Sequence, residues 1–201
     1  MGFNNNFNSS GGATVLTDLE VDGTTLSIDE VNNRVGMGTI VPGTQLQVES
    51  NTPYITLKND TSENTAGGCE SKLIFEDHGN NALGQIEVSH VGTSDDEKGQ
   101  LIIRTNNDSG LQAALTIDEA QKVGIGTTDP TELLTLSAAT AYIALQNTTA
   151  ENGEGGAETR ILFVDHSPAP LAQIEGSHSG SADDTKGKFI ISTHTGSSLT
   201  A

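Results

Sequence analysis

The chain has 201 residues, of which nine are basic and 27 acidic, for a formal net charge of −18. This charge repels nucleic-acid phosphates and anionic lipid surfaces, and no apolar run approaches the ~18 residues that cross a bilayer, so the sequence excludes a nucleic-acid partner and membrane insertion. With five Phe, two Tyr and no Trp, small domains of this chain have thin cores, which favours association with other chains.

Residues 1–14 form a leader rich in Asn, Ser and Gly. Such a composition buries too little apolar surface to fold by itself, so we expect this leader to become ordered only against a partner. Phe3 and Phe7 are its large apolar side chains and are the candidate anchors for docking to that partner.

Residues 15–34 are predicted to form a strand–turn–strand hairpin. Apolar and polar residues alternate from Leu19 to Asp29 around the pair Asp22-Gly23, a dipeptide that favours tight hairpin turns. We expect this hairpin to lead into the first of two modules.

Residues 35–122 are predicted to form a first β-module. Period-two segments lie near 54–58, 70–76, 84–90, 100–105 and 112–117, and polar stretches with Gly, Asn or Asp separate them. This spacing predicts an antiparallel meander or sandwich, in an all-β fold without alternating helices. Residues 118–122 are too few to nucleate a helix and are predicted to form a turn.

Residues 123–201 repeat the first module. A shift of 88 residues aligns Val35-Gly36-Met37-Gly38-Thr39 with Val123-Gly124-Ile125-Gly126-Thr127, and about 37 of 79 aligned pairs are identical. A copied module indicates a scaffold more than an active site. As given, this second module lacks its closing strand, which either a continuation of the chain or a neighbouring chain supplies.

The Val-Gly-Ile-Gly strands carry glycine at every second residue. Removing alternate side chains lets another backbone approach one face closely, as packing around a molecular axis requires; a bulge or a sharp exit from the strand is the alternative. The candidate axis or close-packing residues are Val35, Gly36, Gly38, Val123, Gly124, Ile125 and Gly126.

The motif Val123-Gly124-Ile125-Gly126-Thr127, followed by Pro130 and preceded by Leu115-Thr116-Ile117-Asp118, resembles repeats of bacteriophage tail-fibre and related virion appendage proteins. The resemblance covers about residues 15–201, and such modules also occur in bacterial surface and filament proteins. It implies a parallel homotrimer in an elongated fibre, with the N-terminus fixed to the tail, baseplate or capsid of the virion and receptor binding toward the distal end.

Four duplicated histidines are the weak candidates for a metal site: His78, His90, His166 and His178. Three chains could present three imidazoles to one ion on an axis. The alternative is that these histidines lie in turns or at strand ends and bond to backbone. We predict no bound metal and no cofactor.

Acidic pairs and a single cysteine complete the chemical candidates. Asp95-Asp96 and Asp183-Asp184 lack the ligand spacing of known calcium loops, so hairpin tips are the simpler interpretation. Glu70 and Glu87 could serve a polysaccharide depolymerase, yet both recur in the other copy, as Glu158 and Glu175, and few aromatic side chains are available to stack sugars. Cys69 aligns with Ala157 and is predicted to be a small packing residue.

The sequence therefore predicts a structural protein of the virion and no enzyme. With the resemblance to phage fibre repeats, we expect it to be the N-proximal shaft of a phage tail fibre, attached to the particle by its leader and projecting a distal receptor-binding region toward the host. A glycan-binding adhesin module, a bacterial surface filament subunit and, more remotely, a polysaccharide depolymerase are the alternatives.

Overall fold

The chain is all-β in a computed structural model. The structure describes residues 19–21 (backbone only), 25–29, 31–61, 68, 70–93, 97–148, 158–166, 169–180, 185–196 and 198–200. Within these ranges the regular elements are strands joined by turns and extended segments, with no helix. The predicted all-β class is confirmed.

Fourteen strands are found in the described residues. They are β1 Leu19–Val21, β2 Leu26–Asp29, β3 Arg34–Met37, β4 Leu46–Val48, β5 Ser71–Glu76, β6 Ala82–His90, β7 Gly99–Asn106, β8 Leu111–Ile117, β9 Val123–Ile125, β10 Leu134–Leu136, β11 Thr159–Val164, β12 Pro170–His178, β13 Gly187–His194 and β14 Leu199–Thr200. They form a sheet of four (β1–β4), a sheet of six (β5–β10) and a second sheet of four (β11–β14).

Neighbouring strands of each sheet are consecutive in the chain, and most pair antiparallel, as predicted for a meander. In the six-stranded sheet, Leu73 lies opposite Ile86 and Ile86 opposite Ile103. Strand β3, by contrast, pairs in parallel with β4 and places Val35 opposite Leu46.

The boundaries of the sheets do not coincide with the boundaries of the sequence repeats. Strand β9 begins the second repeat at Val123, yet it pairs with β8 of the first and places Ile125 opposite Leu115. The chain divides into two compact units, residues 1–135 and 136–201. Each long sheet therefore starts at β5 or β11, after the Val-Gly-Ile-Gly strand of its repeat.

Aspartates hold two of the turns. Asp118 Oδ1 accepts backbone N–H bonds from Ala120 at 2.9 Å and Lys122 at 2.7 Å, and residues 118–122 form the predicted turn. In the β5–β6 turn, Asp77 Oδ1 accepts from the amides of Gly79 at 2.8 Å and Asn81 at 2.9 Å. Hydrogen bonds from the backbone and side chain of Asn81, and then from Gly79, lower the pKa of Asp77.

The prediction of a strand at 54–58, and of its equivalent in the second repeat at 142–146, was wrong. Both segments have no regular secondary structure, and side-chain bonds fix the first beside the start of β5. Ser71 Oγ donates to the carbonyl of Leu57 at 3.2 Å, and Asn59 Nδ2 donates to the carbonyl of Glu70 at 3.3 Å. Asn147 repeats the second bond on Glu158. Side chains have taken the place of a backbone ladder, which period-two alternation cannot reveal.

Candidate assembly interface

The six-stranded sheet has one face of large apolar side chains that nothing in the described chain covers fully. The register brings together Leu73 with Ile86 and Val88 with Ser71, while β9 adds Ile125. We call the surface formed by Leu73, Phe75, Ile86, Val88 and Ile125 the open apolar face. Their exposed fractions are 50% for Leu73, 57% for Phe75, 38% for Ile86, 51% for Val88 and 45% for Ile125.

The opposite face of the same sheet is polar and buried along the strand β6, although Ile74 of the edge strand β5 is 52% exposed on that face. Gln85, Glu87 and Ser89 alternate with the apolar residues of β6 and are each at most 7% exposed. Among the described residues, Ile102 is the only large aliphatic side chain that is fully buried, and it lies opposite Thr116, which is also buried. The usual distribution of apolar inside and polar outside is thus reversed across β6.

The C-terminal sheet repeats this arrangement. Gln173, Glu175 and Ser177 of β12 are buried. The other face carries Ile161 and Phe163 of β11 with Phe189 and Ile191 of β13, all 45% exposed or more. Two sheets with the same reversed burial indicate a property of the module.

Covering the open apolar face would stabilise an assembly appreciably. Full burial of a Leu, Ile, Val or Phe side chain contributes ~1.5–3 kcal/mol, so burying the exposed half of each contributes about 1 kcal/mol. The five residues of the open apolar face together then supply about 5 kcal/mol per chain, before the contribution of the C-terminal sheet. Exposed apolar clusters of this kind are typical of interaction sites.

The buried carboxylate of Glu87 is neutralised by cations from both neighbouring strands. Its oxygens accept bonds from Arg104 Nε at 3.3 Å and from Gln85 Nε2 at 2.5 Å. Lys72 Nζ lies 3.8 Å away and also pairs with Glu70. Because a buried charge is costly unless it is paired, these partners make Glu87 tolerable at the centre of the sheet.

In the second copy the equivalent carboxylate is that of Glu175, and its cation comes from the neighbouring strand β11. Glu175 accepts bonds from Arg160 Nε at 3.1 Å and from Gln173 Nε2 at 2.8 Å, while Ser192 occupies the position of Arg104. Burial opposes the charge on Arg160, but hydrogen bonds and charge from Glu175 and Glu158 outweigh it and raise the pKa of Arg160. The arginine that pairs with the buried carboxylate is Arg104 of β7 in the first copy. In the second copy it is Arg160 of β11, the strand equivalent to β5.

These ion pairs bear on the proposed carboxylate chemistry. Lys72 contacts both Glu70 and Glu87, and Arg160 contacts both Glu158 and Glu175. Each pair of carboxylates is thus bridged by one cation, whereas a glycosidase places its two carboxylates on either side of the bond that it cleaves. The geometry suits a structural ion pair.

The duplicated histidines lie at opposite ends of the same strands. His78 is in the turn before β6 and His90 is the last residue of β6, a span of roughly 25 Å at the rise of a strand. His166 and His178 have the equivalent positions around β12. One ion therefore cannot use both histidines of a module, and the described residues contain no group of three His, Cys, Asp or Glu side chains that could hold a metal.

The glycines of the Val-Gly-Ile-Gly strands are required by the chain itself. A Cβ on Gly124 would lie 2.6 Å from the carbonyl oxygen of Thr127, and on Gly36 2.3 Å from that of Thr39. Gly38 and Gly126 have φ of 83° and 73° and begin the exit from the strand. Close approach and sharp exit thus both occur within one chain, and packing of Val35, Val123, Ile125 and these glycines around an axis stays a prediction.

Replacing Gly124 with alanine is expected to destabilise the chain by about 2 kcal/mol or more, since the Thr127 carbonyl must move. Alanine at Gly43 is the matched control, because its Cβ would have only the Gln47 side-chain oxygen at 3.6 Å as a near neighbour. Urea denaturation followed by circular dichroism measures both. Equal midpoints for the two variants would contradict this role of Gly124.

Several predicted residues fall outside the described residues: Phe3, Phe7, Cys69, Asp95, Asp96, Asp183 and Asp184. The sequence reasoning, in turn, missed the open apolar face and the arginine pairs. Alternation of Leu73 with Phe75 and of Ile86 with Val88 was the available signal for the first. The ion pairs of Glu87 could not be predicted without the strand register, because Lys72 and Arg104 are distant from Glu87 in sequence.

No protein-family model matches this chain, and no curated protein matches it significantly. Among the described residues there is no helix with the length and apolar character needed to cross a bilayer.

Proposed function

We propose that this chain is a structural component of a virion, the shaft of a bacteriophage tail fibre, and not an enzyme. Three parallel copies associate through their open apolar faces. The leader, residues 1–14, with Phe3 and Phe7, docks on a tail, baseplate or capsid protein. The shaft projects a distal receptor-binding region, whose ligand is a host surface glycan, away from the particle.

The open apolar face is the observation that carries this proposal. The six-stranded sheet and the C-terminal sheet each expose large apolar side chains and bury polar ones. A single chain therefore leaves these apolar surfaces in contact with water. Copies of the same chain are the simplest partner, because both repeats present the same kind of face and closed symmetry lets equivalent surfaces cover one another.

The chemistry of the described residues supports a spacer more than a catalyst. The paired carboxylates hold cations, and the duplicated modules preserve backbone turns and sheet positions. In a duplicated array each unit contacts only its neighbours along the chain, so the number of modules sets the reach.

Electron microscopy of the purified chain, together with a glycan array, tests the proposal. A shaft is expected to appear as a uniform rod and to bind no glycan, because recognition belongs to the distal region. Compact single particles would contradict the fibre. Saturable binding to one glycan class would assign the chain to the adhesins instead.

A further inference from the structure

The apolar faces of the two modules are alike in most positions. Both carry a row of three aliphatic side chains across the sheet, made of Leu73, Ile86 and Ile103 in the first module and of Ile161, Ile174 and Ile191 in the second. The next row, which begins with Phe75 or Phe163, differs at its second position by one methyl group, since Gly84 of the first module corresponds to Ala172.

A third row of the same face differs in shape between the modules. In the first module it places Val88 beside Leu101. In the second module it places Gly176 beside Phe189. The first module therefore has two side chains of similar size here, whereas the second has an aromatic ring next to a position without a side chain.

The position of Gly176 is not filled by other described residues of the chain. A Cβ on Gly176 would have only the hydroxyl oxygen of Thr159, at 3.5 Å, within 4 Å, so the ring of Phe189 does not cover it. Strands β11 and β13 lie on both sides of Gly176, and Leu145 and Phe189 line the groove above it. We call this gap the Gly176 recess.

The charge around the Gly176 recess suits a second copy of this chain. The described residues that line the groove include Lys186 and Lys188 and no Asp or Glu, although the whole chain has only nine basic residues and a net charge of −18. A basic lining attracts an acidic partner and reduces the repulsion between two acidic chains.

Two similar modules allow copies to associate either in register or shifted by one module. In a shifted pair, Phe189 would meet Val88, which fills the position of the recess, and the Gly176 recess would meet Leu101, which is smaller than Phe. Overpacking and a void both disfavour this arrangement. A shifted pair also leaves one module of each chain uncovered, so the assembly stays open and continues to grow.

We propose that Phe189 of one copy inserts into the Gly176 recess of a neighbouring copy and thereby fixes their register, second module against second module. The inference rests on the proposed association of parallel copies and adds the residues that select their alignment. The ring and the recess lie on neighbouring strands of one surface, ~4.8 Å apart, so this surface is complementary to an equivalent surface. The misfit of the shifted pair supplies the specificity.

Sedimentation velocity of the intact chain and its variants tests this assignment. The unmodified chain is expected to sediment as one trimeric species. Gly176→Val fills the recess, where the chain itself leaves room for the side chain, and Phe189→Leu removes the ring. Each substitution is expected to raise the dissociation constant of the assembly by about tenfold, because one prevents insertion and the other leaves the recess empty.

The double variant, with Gly176→Val and Phe189→Leu, gives the second module the row of the first. This variant is expected to associate again, but without a fixed register, into species heavier than the trimer. Leu162→Ile is the matched control, because it copies Ile74 of the first module on the opposite face of the sheet. The control is expected to sediment as the unmodified chain does.

The outcomes separate this inference from the proposed function. A single-chain mass for the unmodified protein overturns the assembly and the inference with it. A trimer whose dissociation constant neither single substitution changes, or a double variant that stays one trimeric species, overturns only the role of Phe189 and Gly176. Circular dichroism verifies the fold of each variant, and Phe189→Leu decides alone if Gly176→Val unfolds.

Discussion

A chain with Leu73→Lys is expected to sediment with the mass of one chain at micromolar concentration, whereas the unmodified chain is expected to sediment as a trimer. Leu73 belongs to the open apolar face, and association would bury three unpaired ammonium groups in one assembly. Each such burial costs several kcal/mol, which exceeds the ~1 kcal/mol that each half-exposed apolar side chain gains.

Ile74→Lys is the matched control for that substitution. Leu73 and Ile74 are adjacent on the same edge strand and have nearly equal exposure, 50% and 52%, but they point to opposite faces of the sheet. The control variant is expected to keep the trimer mass. Circular dichroism distinguishes dissociation from unfolding, because the sheet of a dissociated chain retains its signal. Equal masses for the two variants would show that the open apolar face is not the interface.

The second large effect is expected at the buried carboxylate of the first module. Arg104→Ser removes a direct partner of Glu87 and leaves Lys72 at 3.8 Å, so we expect a loss of about 1–3 kcal/mol in the free energy of unfolding. The second module, however, already combines serine at this position with an arginine on the preceding edge strand.

Adding Lys72→Arg to Arg104→Ser is therefore expected to restore most of that stability. The double variant reproduces the Arg160, Glu175 and Ser192 arrangement in the first module. Urea denaturation at one fixed chain concentration compares the three proteins, because association makes stability depend on concentration. A double variant less stable than Arg104→Ser would show that the two copies do not neutralise their carboxylates in interchangeable ways.

Much of the fold follows from alternation and turn chemistry. Strands predicted near 70–76, 84–90, 100–105 and 112–117 correspond to β5–β8 with end shifts of one or two residues. Such local patterns report which residues share a face. They also predicted the turn at 118–122, where Asp118 binds two amides.

The remaining features depend on information that lies outside any short window. Tyr54 and Ile55 alternate as strand residues do, yet no described strand pairs with them, and they are 82% and 68% exposed. The alternation also does not reveal which face of β6 is buried, because the polar Gln85 is buried and the apolar Ile86 is 38% exposed, the reverse of the usual distribution. The requirement for glycine at position 124 also depends on the folded chain, because a Cβ there would lie too close to the carbonyl oxygen of Thr127.

Sedimentation equilibrium of the unmodified chain over a wide concentration range determines whether copies of this chain cover one another's apolar faces. If the exposed faces of both sheets are covered by other copies, the mass is three times the chain mass of 20.9 kDa and persists on dilution until dissociation begins. A single-chain mass at all concentrations, with a cooperative unfolding transition, would contradict the account.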